Sequence, residues 1–148
     1  MQVAITRLST KTNDVPLPKA MSDGAAGMDV YAANENEIIL KPGETKIIPT
    51  GFAIAVPYGF EAQIRPRSGL AIKKSIGIMN SPGTIDSDYR GEVGIILTNF
   101  SLENTFAVKR GDRIAQMVVC PVVSISWDEV NELPETDRGS GGFGHTGV

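Results

Sequence analysis

Hydrophobic and polar positions alternate along most of this chain. Phe52, Ile54 and Val56 alternate with Ala53 and Ala55, and Phe60, Ala62 and Ile64 alternate with Glu61, Gln63 and Arg65. Val93, Ile95 and Leu97 repeat every second residue, as do Ile114, Gln116 and Val118. A period of two puts alternate residues on one face of a sheet, so each run predicts a strand. Turn formers punctuate the runs at Lys41-Pro42-Gly43-Glu44, Pro57-Tyr58-Gly59, Ser81-Pro82-Gly83 and Arg110-Gly111-Asp112. Many short strands at regular spacing predict an all-β sandwich, barrel or jelly roll. Helix is suggested at only two places, a short turn around Ser68 to Lys73 and a brief stretch from Trp127 to Leu133. From Glu135 onward the hydrophobic period is lost and glycine recurs at 139, 141, 142, 144 and 147. Glycine-rich chain is entropically costly to order. The chain therefore divides into a β domain over residues 1–134 and a flexible arm over 135–148.

Composition changes this picture little. With 148 residues the chain is long enough for one domain with its own core. Its net charge of −3 opposes a role in gripping nucleic-acid backbone, which needs clustered positive charge. A nucleotide substrate needs only a few placed cations. Cys120 is the single cysteine, so no internal disulfide forms; its apolar setting predicts a small buried hydrophobe. No apolar run reaches the length of a membrane span, and the first residues resemble no secretory signal. An intracellular, soluble protein is expected, cytoplasmic in the first place, with a nuclear or organellar location as the alternatives.

Three polar, glycine-rich stretches carry candidate chemistry. Gly83-Thr84-Ile85-Asp86-Ser87-Asp88-Tyr89-Arg90-Gly91-Glu92 collects three carboxylates, an arginine and a tyrosine in one hairpin-like segment. It is either a solvated turn or a place for a general base oriented by arginine. In Arg65-Pro66-Arg67-Ser68-Gly69 two arginines flank a proline, and Ser68 and Gly69 offer backbone N–H groups at a possible helix start. This stretch is either a strand end carrying surface charge or an anion site, since arginine's planar fork suits phosphate and so does a helix start. The arm runs Arg138-Gly139-Ser140-Gly141-Gly142-Phe143-Gly144-His145-Thr146-Gly147. It spells G-x-G-x-x-G, but with no strand before it and no helix after it the dinucleotide reading fails. His145 is the only histidine, which excludes a histidine-based metal cluster.

Together these segments resemble the trimeric dUTPase family. Five motifs stand in that family's order: Ala25-Ala26-Gly27-Met28-Asp29-Val30-Tyr31-Ala32, then Arg65 to Ala71, then Gly83 to Glu92, then Gly111-Asp112-Arg113-Ile114-Ala115-Gln116, then the glycine-rich tail. The resemblance implies a jelly-roll-like fold and a homotrimer. Its three sites would be shared between subunits, with the arm of one subunit closing over a site built by two others. It implies Mg2+-dependent cleavage of dUTP to dUMP and pyrophosphate, which limits uracil incorporation into DNA and supplies dUMP for dTMP synthesis.

By the same resemblance, Asp86 is the general base that activates a water for in-line attack on the α-phosphorus. Arg67, Ser68, Gly69 and Gln116, with Arg138, Gly144 and Thr146 of the arm, contact phosphates or water. Asn80 and Gly83 meet the uracil, Tyr89 packs on the deoxyribose, and Phe143 stacks on the base. Asp29 supports Mg2+ through water or orients Arg67. One departure is His145, where the family more often has serine. Rival readings are a dCTP deaminase-related enzyme, opposed by the Ile85-Asp86-Ser87-Asp88-Tyr89 pattern, and a dUTPase-like nucleotide-binding regulatory module.

Overall fold

The strands pair as short antiparallel ladders that wrap one core. A computed structural model describes residues 1–142. In chain order the strands are β1 (Ala4–Arg7), β2 (Lys19–Ala20), β3 (Met28–Tyr31), β4 (Ile38–Leu40), β5 (Thr45–Ile48) and β6 (Phe52–Ala55). Next come β7 (Phe60–Arg65), the helix α1 (Ser68–Lys74), β8 (Ile76–Ile78), β9 (Gly83–Ile85), β10 (Ile95–Asn99), β11 (Phe106–Val108) and β12 (Arg113–Pro121). The largest sheet has the order β2-β3-β12-β7-β9; β5-β10-β8 form a second, and β1-β6 and β11-β4 are pairs. This is the expected all-β, jelly-roll-like arrangement.

The predicted periodicity places the core. Val93, Ile95 and Leu97 are fully buried, and Ala62 and Ile64 of β7 point the same way. They pack with Val30, Leu40, Ile48, Phe52 and Val108 into one cluster, each such side chain contributing about 1.5–3 kcal/mol by leaving water. In β6 the alternation predicts one buried face, yet Ala53 is buried along with Phe52 and Ile54. Turns fall where glycine permits them. Gly59 (φ 85°) and Gly111 (φ 82°) occupy left-handed backbone, and each turn closes with a hydrogen bond, Phe60 N to Pro57 O and Asp112 N to Lys109 O.

Three expectations need correction. In β12 the predicted inward set of Ile114, Gln116 and Val118 does not hold. The register against β3 shifts between Arg113 and Ala115. Ile114 and Ala115 therefore both turn inward, and Met117 follows, leaving Gln116 and Val118 only half-buried. A bulge inserts one residue on one strand and flips the alternation beyond it. Trp127 to Leu133 forms no helix; it is irregular, with Trp127 90% exposed. Cys120 is half-buried, with Arg65 Nη2 3.9 Å from its Sγ, because it lies on the far side of that alternation. The short helix does form at α1, capped by Ser75 in left-handed backbone. No helix among the described residues is long and apolar enough to cross a membrane.

Candidate active site

Asp29 lies at the centre of one polar cluster. It sits on β3 opposite Gln116 of β12, and its side chain is only 3% exposed. A buried carboxylate needs compensating partners. Its Oδ1 accepts from Arg67 Nε at 3.3 Å and from Gln116 Nε2 at 3.3 Å, and its Oδ2 accepts from Arg113 Nη1 at 3.0 Å. Arg67 Nη1 donates onward to the Arg113 carbonyl at 3.1 Å. Among the described residues Arg67 Nη2 has no hydrogen-bond partner, and a cavity of about 330 Å³ opens beside Arg67 and Arg113. One carboxylate and two guanidiniums leave the cluster with one net positive charge.

Pro66 separates two arginines with different roles. Arg65 is held along the sheet surface by Gln63, at 2.7 Å from Nη2. Arg67, one step past the proline, is the N-cap of α1 and turns across β12 to β3. Ser68 and Gly69 follow as the first residues of α1, whose opening N–H groups have no partner within a helix. A Cβ added to Gly69 would meet nothing within 4 Å, so no internal packing requires glycine there.

The second cluster is the segment after β9. Asp86 follows Ile85, is exposed, and has no side-chain hydrogen bond among the described residues. Asp86 and Asp88 border an open cleft of about 790 Å³ that also touches Tyr58, Glu61 and Val122. Asn80 lies against Gly83, where an added Cβ would come within 3.1 Å of its Nδ2. The Tyr89 ring folds over Gly91 and its hydroxyl donates to the Glu92 carbonyl at 3.0 Å. The third carboxylate of this stretch, Glu92, is not part of the cleft. Its Oε1 accepts from Thr50 N (3.1 Å) and Gly51 N (2.7 Å), pinning the segment to the β5–β6 turn.

These two clusters do not meet within this chain. Ile85 pairs with Ala62, which puts Asp86 level with Glu61 at one end of β7, while Arg67 lies past the other end. Six residues of strand span roughly 20 Å. Arg67 also reaches toward β3, three strand positions from β9, about 14 Å further across the sheet. In the arm, Arg138 Nε donates to Gly141 O at 2.8 Å in a tight, exposed turn. Phe143, Gly144, His145 and Thr146 lie outside the described residues. Sequence reasoning missed Arg113, although it stands inside a quoted motif; its signal was a cation three residues from Gln116, which straight-strand alternation places on the opposite face.

The described residues hold no group of three His, Cys, Asp or Glu that could bind a metal ion. Both Asp29 oxygens are already taken by cationic and amide donors. This fits a Mg2+ that keeps waters and takes its ligands from phosphate, and does not fit an all-protein metal cage.

The family model named dUTPase matches residues 13–147. The chain is 52% identical, over 98% of its length and 96% of the relative's, to the deoxyuridine 5'-triphosphate nucleotidohydrolase of Syntrophotalea carbinolica. It is 59% identical, over 89% of its own length and 88% of the other's, to the protein of that name from Rickettsia canadensis. Among solved structures, a Staphylococcus bacteriophage 80alpha dUTPase with dUpNHpp superposes with a TM-score of 0.86 at 25% identity over 99% of both chains. A dUTPase of S. aureus phage phi11, described with a structural Mg(II) ion, has a TM-score of 0.80 at 22% identity over 91% of this chain and 100% of its own; that likeness speaks for the fold alone.

Proposed function

The chain belongs to the dUTPase family, and from that premise we propose that it cleaves dUTP to dUMP and pyrophosphate at sites shared between the subunits of a homotrimer. One observation carries the sharing. The base candidate Asp86 and the phosphate-binding candidates around Arg67 stand at opposite ends of β7 and toward opposite edges of the sheet. A triphosphate is far shorter than that separation, and reacting groups must come within about 3–3.5 Å. Asp86 of one subunit and Arg67 of another therefore form one site.

In this site the free carboxylate of Asp86 takes a proton from water as that water attacks the α-phosphorus in line. Pyrophosphate leaves on the opposite side. Arg67, Ser68, Gly69 and Gln116 hold the phosphates, with the Arg67 fork giving Nη2 to a phosphate oxygen while Asp29 retains Nε. Arg138, Gly144 and Thr146 add contacts from the arm. Asp29 would act through water on a Mg2+ bound with the phosphates, which would supply charge neutralisation there. Asn80 and Gly83 meet the uracil edge, Tyr89 covers the deoxyribose, and Phe143 stacks on the base. The reaction removes dUTP from the pool offered to DNA synthesis and yields dUMP.

Complementation tests the shared site. Asp86→Asn and Arg67→Ala are each expected to abolish pyrophosphate release from dUTP in Mg2+. Mixed trimers, formed by co-refolding the two, contain one site with an intact Asp86 and an intact Arg67 and regain activity. Failure to regain any would place both residues in the same subunit's site. Release from dUTP, with little from dCTP, dTTP or UTP, tests the substrate; ammonia release from dCTP would instead favour the deaminase.

A further inference from the structure

Arg113 has no part in the mechanism above, yet the fold departs from regular geometry around it. Residues 113 and 116 are three apart and would face opposite sides of a straight strand. The bulge in β12 puts one extra residue between them, so that Arg113 pairs with Tyr31 and Gln116 with Asp29. Tyr31 and Asp29 share one face of β3, so Arg113 and Gln116 now share it too. The extra residue is absorbed by the core, where Ile114 and Ala115 are both buried.

Arg113 then acts on Arg67 from two directions. Its guanidinium neutralises Asp29 Oδ2 at 3.0 Å, and its carbonyl accepts from Arg67 Nη1 at 3.1 Å. Without that second cation the buried Asp29 would cancel the charge of Arg67, because one carboxylate and one guanidinium sum to zero. With it, the cluster of Asp29, Arg67 and Arg113 keeps a net positive charge beside the cavity, whose lining also includes Asp112, a carboxylate that accepts from Lys109 N at 2.8 Å. The other groups facing Asp29 are Arg67 itself, the neutral Gln116, and the exposed Lys19, which is its cross-strand partner on β2 but makes no hydrogen bond to it among the described residues.

We propose that Arg113 is the positioning residue of the phosphate subsite: set by the β12 bulge, it neutralises Asp29 so that Arg67 presents an uncancelled, fixed guanidinium to the substrate phosphates. This rests on the phosphate-binding role of Arg67 proposed above. The test compares wild type, Arg113→Gln, Arg113→Lys and the double variant Arg113→Gln/Asp29→Asn, each checked for cooperative melting. KM and kcat for dUTP are measured at saturating Mg2+. Arg113→Gln should raise KM about tenfold with a smaller change in kcat, the scale of one lost unit charge at a half-exposed site. Arg113→Lys should stay near wild type. The double variant, with Arg67 again uncancelled, should recover most of the lost affinity, whereas a merely structural role would make it the worst of the set. A wild-type KM in Arg113→Gln, or a double variant weaker than Arg113→Gln, overturns the proposal. If Arg113→Gln does not fold, the recovery or loss of affinity in the double variant against Arg113→Lys decides the matter. If wild type releases no pyrophosphate from dUTP, the proposed function fails separately, and calorimetric binding of inorganic triphosphate to the same four proteins still tests Arg113, with the same ranking expected and the same reversals refuting it.

Discussion

At the scale of single residues, the placement of the candidate site side chains depends on small neighbours. Tyr89 is 43% exposed and holds its ring over Gly91, where any Cβ would collide with the phenol oxygen. Gly91→Ala is therefore expected to push the ring off its position without touching substrate itself. If Tyr89 excludes a 2′-hydroxyl, the preference of Gly91→Ala for dUTP over UTP should fall by about tenfold or more, the usual worth of a shape contact. Comparing kcat/KM for the two nucleotides in Gly91→Ala and Tyr89→Ala checks this, and unchanged discrimination in both would remove Tyr89 from sugar recognition. Glu92 illustrates the converse. In sequence it reads as one more acidic residue of a catalytic-looking stretch, whereas its carboxylate spans a gap of more than forty residues to satisfy two backbone N–H groups.

At the scale of elements, two irregularities bracket the cluster of Asp29, Arg67 and Arg113. One is the β12 bulge. The other ends α1, where Ser75 adopts φ 55° and ψ 34° and its N–H bonds to the Leu70 and Ala71 carbonyls. A left-handed residue at a helix end is usually glycine, because a Cβ crowds the carbonyl there. Ser75→Gly should relieve that crowding and stabilise the protein by about 1 kcal/mol. The melting temperature, compared at equal protein concentration, should rise by roughly 2–4 °C. No rise would mean that the Ser75 side chain recovers the strain through a contact of its own. Lys73 and Lys74 in the last turn already favour the helix by facing its negative end.

At the scale of the whole molecule, Arg110 closes the chain onto itself. It donates to both Asp14 oxygens, at 2.8 and 2.6 Å, and to the carbonyls of Lys11 and Ala33. That side-chain hydrogen bonding holds the Asp14 carboxyl at about 2, below its usual 3.8. A carboxylate whose pKa falls on folding stabilises the protein above its unfolded value, and that contribution fades as pH drops through the folded one. Wild type should therefore lose its stability advantage over Asp14→Asn between pH 3.8 and about 2. Urea unfolding of both proteins across that range tests it, and a gap independent of pH would refute it. Because Asp14 is exposed, solvent limits the effect and added salt should shrink it. At the same scale the large sheet sets the distance between Asp86 and Arg67, and so makes the complementation experiment decisive.

The sequence alone determined the all-β class and the part of the core on β7 and β10, since period-two alternation and turn glycines are local properties that the chain carries wherever it goes. The five ordered motifs likewise indicated the family before any coordinates. What it left undetermined were relations between distant residues. Straight-strand alternation put Ile114 with Gln116; the folded chain instead carries a bulge that buries Ile114 and Ala115 together and turns Arg113 toward Asp29. The resemblance singled out Asp86 in its stretch, but the role of Glu92 became visible only in its pairing with the β5–β6 turn, away from the cleft. The two halves of the candidate site are adjacent in a motif list yet far apart on the sheet, because strand order and register are decided by packing over the whole chain rather than by any segment of it.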